Sequence, residues 1–126
     1  MHRPVRLVIT GHLLASALLL ATGVHAEGKK PVAIGVDSVS MTAAQFFAAY
    51  MSPEAVQRER AEMYLLGLMD AGEGRLWCDY KTYKTVTLRE RVFTHLKSLP
   101  DTQMKERAAD VIARLLAERY PCKGGK

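Results

Sequence analysis

The chain has 126 residues, enough for one domain with one modest core. Its 18 basic residues against 13 acidic ones give a net charge of +5, a mild excess spread along the chain, unlike the concentrated patch of a nucleic-acid binder. Four histidines and two cysteines leave little material for metal-centre or nucleophile chemistry.

Residues 1–26 read as an export signal. Residues 1–6 carry Arg3 and Arg6 and no acid, residues 7–20 are mostly apolar, and Val24-His25-Ala26 presents small residues at the two positions a signal peptidase reads. A membrane anchor is the poorer reading. The apolar run is shorter than the roughly 20 residues a spanning helix needs, and Thr10, Gly11 and His12 interrupt it. Cleavage after Ala26 leaves 100 residues with a net charge of +3. His2, His12 and His25 depart with the signal, so His95 becomes the one histidine of the exported chain. No stable membrane insertion is expected after cleavage. In an oxidising compartment Cys78 and Cys122 are expected to pair, closing a loop of about 45 residues that the loop-entropy model values at ~4 kcal/mol.

Residues 27–41 form a polar and then extended arm, with Val32, Ile34 and Val36 alternating with small residues. Helical patterning covers residues 42–122. Thr42 and Gln45 form a capping box ahead of an apolar cluster of Phe46, Phe47, Tyr50 and Met51. Ser52-Pro53-Glu54 opens a second helix, with Ser52 as N-cap, and that helix is expected over 53–71. Its buried stripe is Ala61, Tyr64, Leu65, Leu68 and Met69. Gly67 inside it implies close approach by another helix, and Gly72 and Gly74 terminate it.

Residues 75–86 are irregular. Thr87-x-x-Glu90 reads as a capping box for a third helix, with Leu88, Val92, Phe93, Leu96 and Leu99 on its apolar face and Pro100 as its stop. Asp101 or Thr102 caps a last helix whose inner face is Ala108, Val111, Ile112, Leu115, Leu116 and Tyr120. Pro121 ends it, and residues 123–126 form a disordered tail. The pattern predicts an all-α, four-helix domain, bundle-like or orthogonal, with one disulfide.

Catalytic readings fare poorly. Cys78 with His95 as base would need a free thiolate, and Cys122 is the more natural partner. His95 sits at the edge of an apolar helix face, where a histidine is usually structural. Asp70, Glu73 and Asp79 flank Trp77 and could form a carboxylate pair for a hydrolase, yet two of them end a helix and the third lies in a loop. No catalytic residue, metal or cofactor is expected, and the protein reads as a non-enzyme. Trp77, Tyr80 and Tyr83 interleave with Arg75, Lys81 and Lys84, a composition that protein interfaces favour. For Trp77 the better reading is a core ring packed over the cystine. Tyr80, Lys81, Tyr83 and Lys84 remain candidate partner-binding residues, with plain solvation of the lysines standing level beside that reading.

Tyr64-Leu65-Leu66-Gly67-Leu68-Met69-Asp70, then Trp77-Cys78, Leu99-Pro100, Ala109-Asp110-Val111-Ile112 and Tyr120-Pro121-Cys122 together resemble the Rap/Tai family of periplasmic immunity proteins, over roughly residues 46–122. The resemblance implies a small, disulfide-bonded helical protein of the periplasm. Such a protein binds a peptidoglycan amidase effector delivered by type VI secretion and occludes its cysteine–histidine cleft, often as a homodimer, with no nucleic acid involved. Tyr64, Gly67, Asp70, Trp77 and Pro121, with Cys78 and Cys122, carry the resemblance as scaffold residues. Residues 79–85 are the candidate plug. The alternative is a periplasmic acid or stress chaperone of the small, helical, single-disulfide kind, exposing Phe46, Phe47, Tyr50 and Met51 when acid loosens the fold.

Overall fold

A computed structural model describes residues 33–123, so residues 1–26, read above as an export signal, the polar start of the expected arm and residues 124–126 of the expected tail lie outside the described residues. The elements are α1 (Ala43–Tyr50), α2 (Ala55–Gly72), α3 (Thr85–Lys97), α4 (Asp101–Met104) and α5 (Ala108–Arg119). The chain is all-α, as its periodicity predicts, but with five helices among the described residues in place of four.

α1 forms where its cap demands. The Thr42 amide donates to Gln45 Oε1 at 2.9 Å and the Gln45 amide to Thr42 Oγ1 at 3.2 Å, the reciprocal pair of a capping box. The expected start of α2 is corrected by two residues. Ser52 accepts the Glu54 amide at 3.1 Å, and Glu54, with no side-chain cap, takes the N-cap position. The Arg58 guanidinium donates to the Ser52 and Pro53 carbonyls at 2.7 and 2.8 Å, which holds that turn outside the helix. Gln57, Ala61, Leu65, Met69 and Gly72 form the buried stripe of α2, while Tyr64 and Leu68 flank it half-buried.

Gly67 is exposed, and a Cβ placed there would meet nothing within 4 Å. The expected helix contact is therefore absent. The close approach lies one and a half turns later, at Gly72, where a Cβ would come 3.1 Å from Trp77 Cδ1.

The Thr87 capping box is also corrected. α3 begins at Thr85 behind Lys84, with no side-chain cap, and Leu88 donates its amide to the Lys84 carbonyl at 3.2 Å. The expected final helix is interrupted at residues 105–107. The Ala43 amide donates to the Glu106 carbonyl and the Ala108 amide to the Met41 carbonyl, both at 2.8 Å. Groups that helical continuity would use are thus paired with the segment leading into α1, and Arg107 stays extended. Pro100 stands at the N-cap of α4, so neither Asp101 nor Thr102 caps it.

The core is built where the helices meet. Phe46, Leu65, Met69, Leu88, Val92, Leu96, Ile112 and Leu116 are buried, with Trp77 joining them from the connection after α2. Full burial of each large side chain contributes about 2 kcal/mol. Ile34 of the arm is pinned on α2, since its amide donates to Gln57 Oε1 at 2.7 Å and its carbonyl accepts from Arg60 at 2.6 Å.

Candidate partner-binding site

The irregular segment after α2 is ordered by a tight reversal. Gly74 takes φ +75°, where glycine is favoured, and its amide donates to the Trp77 carbonyl at 2.9 Å. The Leu76 amide returns to the Gly72 carbonyl at 2.7 Å. This turn drives Trp77 inward until it is wholly buried, with its indole N–H donating to the Met69 carbonyl at 2.9 Å. A buried ring that keeps its one polar group bonded forfeits nothing for burial.

Cys78 follows, and two bonds hold it to the end of α5. Its amide donates to the Tyr120 carbonyl at 2.8 Å, and its sulfur is joined to Cys122 across 44 residues of sequence. Asp79 then shapes the next turn. Its carboxylate accepts the Thr82 amide at 2.7 Å, and its carbonyl accepts the Thr82 and Tyr83 amides at 3.2 and 3.0 Å. Hydrogen bonding from Thr82 holds the Asp79 carboxyl below its ordinary range.

The four partner-binding candidates divide between two roles. The Tyr80 hydroxyl donates to Asp70 Oδ1 at 2.8 Å, and its ring stands edge-on to Trp77 with centroids 4.9 Å apart. Burial first, and then the hydrogen bond to Asp70, push the Tyr80 phenol well above its usual value. Tyr83 lies against Tyr120, with ring centroids 4.4 Å apart. Lys81 and Lys84 are exposed. The tyrosines brace the loop and the lysines face solvent. In front of the loop lies a cleft of about 340 Å³ lined by Cys78, Asp79, Thr82, Tyr83, Tyr120, Pro121 and Lys123.

The residues weighed for catalysis do not converge. Cys78 is oxidised, Asp70 accepts the Tyr80 hydroxyl and Asp79 accepts the Thr82 amide. His95 lies on α3 beneath α5. Burial lowers its pKa, with Arg114 and Arg119 acting in the same direction and Glu118 against them. Among the described residues no three His, Cys, Asp or Glu side chains could hold a metal ion, and no helix is long and apolar enough to cross a membrane. Of the remaining scaffold candidates, Tyr64 packs its ring 5.7 Å from Phe46, with its phenol pushed up by burial. Pro121 is exposed beside the cleft.

Two surface features escaped sequence reasoning. A groove of about 200 Å³ between α2 and α5 is floored by Trp77, Ile112 and Leu116 and rimmed by Arg75 and Asp110. The turn after Ile34 leaves Val36 and Val39 almost fully in water. Gly35, Asp37 and Ser38 were the available signal for the turn, which the alternation of Val32, Ile34 and Val36 masked. Nothing local could have revealed the groove, because its two walls are some 40 residues apart in sequence.

The fold and loop together describe a small helical domain tied by one cystine. A family model for Rap1a immunity proteins matches residues 41–122, and the chain belongs to that family. Its role is accordingly that of an immunity protein, which binds a secreted effector protein. No curated protein matches the chain.

Proposed function

We propose that the chain acts in the periplasm, where it binds a type VI secreted peptidoglycan amidase and blocks its cleft sterically, without chemistry of its own. The braced loop over residues 79–85 carries this reading. Its shape is set before binding by Trp77, the Tyr80–Asp70 hydrogen bond, the Tyr83–Tyr120 contact and the cystine, and it presents Lys81 and Lys84 to solvent. A preformed loop loses little conformational entropy on docking, which suits an inhibitor. The signal-like residues 1–26 and the cystine support an oxidising address. A homodimer is part of the same proposal, with the apolar groove between α2 and α5 as one surface available to it.

The test is capture from lysate of the producing cells with the oxidised chain lacking residues 1–26, followed by mass spectrometry. Stoichiometric recovery of a cysteine–histidine amidase, whose cell-wall hydrolysis the protein then inhibits, is the expected result. Recovery of a mixture of unrelated envelope proteins would defeat the reading and favour the chaperone. For that alternative the client-binding rings must first leave the core. Phe46 is buried, and Phe47 and Tyr50 pack on Phe93 at 5.9 and 6.4 Å.

A further inference from the structure

Gly67 has no structural reason within one chain. Glycine in a helix interior is costly relative to alanine, yet a Cβ there would meet nothing within 4 Å. The residues around it form a second stripe along α2. Val56, Arg60, Met63, Gly67 and Asp70 recur at steps of four, three, four and three, the spacing of a coiled-coil seam. All five are exposed, on the face opposite Ala61, Leu65 and Met69, and Val56 and Met63 lie more than half in water. Beside Met63 stands the wholly exposed Val36, at a hollow of about 460 Å³ that it shares with Ile34, Glu59 and Arg60. A surface helix of a lone domain turns its polar side outward. An apolar stripe with nothing over it and a glycine with nothing near it are two separate signs of a second helix across this face.

The order of the stripe identifies that helix. Its residues are arranged symmetrically about position 65, with Arg60 and Asp70 equally far to either side and Met63 and Gly67 equally near. An antiparallel copy of α2 therefore sets Arg60 opposite Asp70 of the partner subunit and Met63 opposite Gly67 of the partner subunit, each twice. Opposite charges meet, and the largest apolar side chain of the seam meets the smallest residue. Parallel pairing would set like charge on like charge at both positions. The two charged groups are already held in place. Arg60 donates to the Ile34 carbonyl at 2.6 Å, and Asp70 Oδ1 accepts the Tyr80 hydroxyl at 2.8 Å. A guanidinium has five N–H groups and a carboxylate two oxygens, so each keeps capacity for another partner. We infer that the outer face of α2 is a homodimer interface, formed by two antiparallel copies of α2 matched through Arg60, Met63, Gly67 and Asp70. The groove between α2 and α5 is a different surface, lined by Leu68, Ala71 and Gly72 and by none of the seam residues. The inference deepens the homodimer part of the proposed function, and its test needs no effector.

Sedimentation equilibrium on the oxidised chain lacking residues 1–26 should show a reversible dimer. Arg60→Asp and Asp70→Arg each place like charges at both contacts, and each should raise the dissociation constant by about tenfold or more. An equimolar mixture of the two variants should associate as the parent does, because positions 60 and 70 are both acidic in one chain and both basic in the other. The mixture separates pairing from folding: damage to the Ile34 or Tyr80 bonds would persist in it, whereas charge matching is restored. Gly67→Leu should abolish the dimer while the separate chain, at dilution, keeps its helical circular dichroism and thermal midpoint, since a side chain there meets nothing within its own chain. Leu76→Ser, in the groove, should leave association unchanged. A monomer at every concentration up to about 1 mM overturns the inference. So does a dimer that survives Gly67→Leu, one that is lost in Leu76→Ser but not in the charge variants, or a mixture that fails to recover. Effector capture by a chain that stays monomeric would keep the immunity reading and strike the pairing alone.

Discussion

The Tyr80 hydroxyl donates to Asp70 Oδ1 at 2.8 Å and so ties the middle of the loop to the last turns of α2. Ten residues separate the two positions, and the connection between them turns back through Gly74. A residue that reads as an interface tyrosine is thereby a strut, and its ring closes over Trp77.

Removing that hydroxyl isolates the strut. Tyr80→Phe keeps the edge-on ring contact and loses the bond to a carboxylate that is itself exposed, so the expected cost is about 1 kcal/mol. Tyr80→Ala also removes the ring from Trp77 and should cost about 2–3 kcal/mol. Urea midpoints with an unchanged slope measure both. Equal stability of Tyr80→Phe and the parent would show that the bond is balanced by solvation.

Two glycines of α2 should respond with opposite signs. At Gly67 a methyl group enters open solvent and raises helix propensity, so Gly67→Ala should stabilise by about 0.5–1 kcal/mol. At Gly72 the same methyl meets Trp77 Cδ1 at 3.1 Å and Nε1 at 3.3 Å. That ring is wholly buried and bonded to Met69, so it has nowhere to move. Gly72→Ala should destabilise by about 1–3 kcal/mol, and thermal melts of the pair decide the contrast.

The single histidine described sets a pH dependence. Burial lowers the His95 pKa below its unfolded value of 6.5, so the unfolded chain binds the proton more readily. Its contribution to stability is fully present above pH 6.5 and is lost as pH falls through that value toward the lower folded one. The groups that face it from α5 are Glu118, Arg114 and Arg119, and the two arginines oppose its protonation. Urea midpoints at pH 7.5 and 5.5 should therefore fall with acid, and His95→Gln should flatten that difference. An equal fall in the variant would assign the effect to carboxylates.

The lysines give the test of the binding surface that the tyrosines cannot. The Lys81 and Lys84 side chains are exposed and make no hydrogen bond or salt bridge among those described, so Lys81→Glu/Lys84→Glu should leave stability within about 0.5 kcal/mol. Effector affinity should drop by about tenfold or more, with a shallower dependence on salt. Undiminished binding would remove residues 79–85 from the interface. A quadruple alanine variant that also replaces Tyr80 and Tyr83 would confuse lost binding with a loosened loop.

Helix signals in the sequence succeeded where they were local and failed where distant backbone competed for the same groups. The Thr42–Gln45 box formed because all its atoms lie within one turn. The Thr87–Glu90 box met the same pattern rule and did not form, since α3 had already started at Thr85. The final helix was interrupted because residues 106 and 108 pair with residues 43 and 41, about 65 positions earlier. Gly67 and Gly72 look equivalent in a helical pattern, and only Gly72 faces the indole.

By itself the amino-acid order determined the all-α class, the apolar stripes, the one available cysteine pair and the family. Each rests on periodicity, composition or short motifs that the chain carries without reference to its fold. The tertiary structure alone decided which loop residues point outward. Tyr80 and Tyr83 found Asp70 and Tyr120 as partners, whereas Lys81 and Lys84 between and beside them found none. Side-chain direction in an irregular segment is set by contacts with distant elements, and no period in the sequence encodes it.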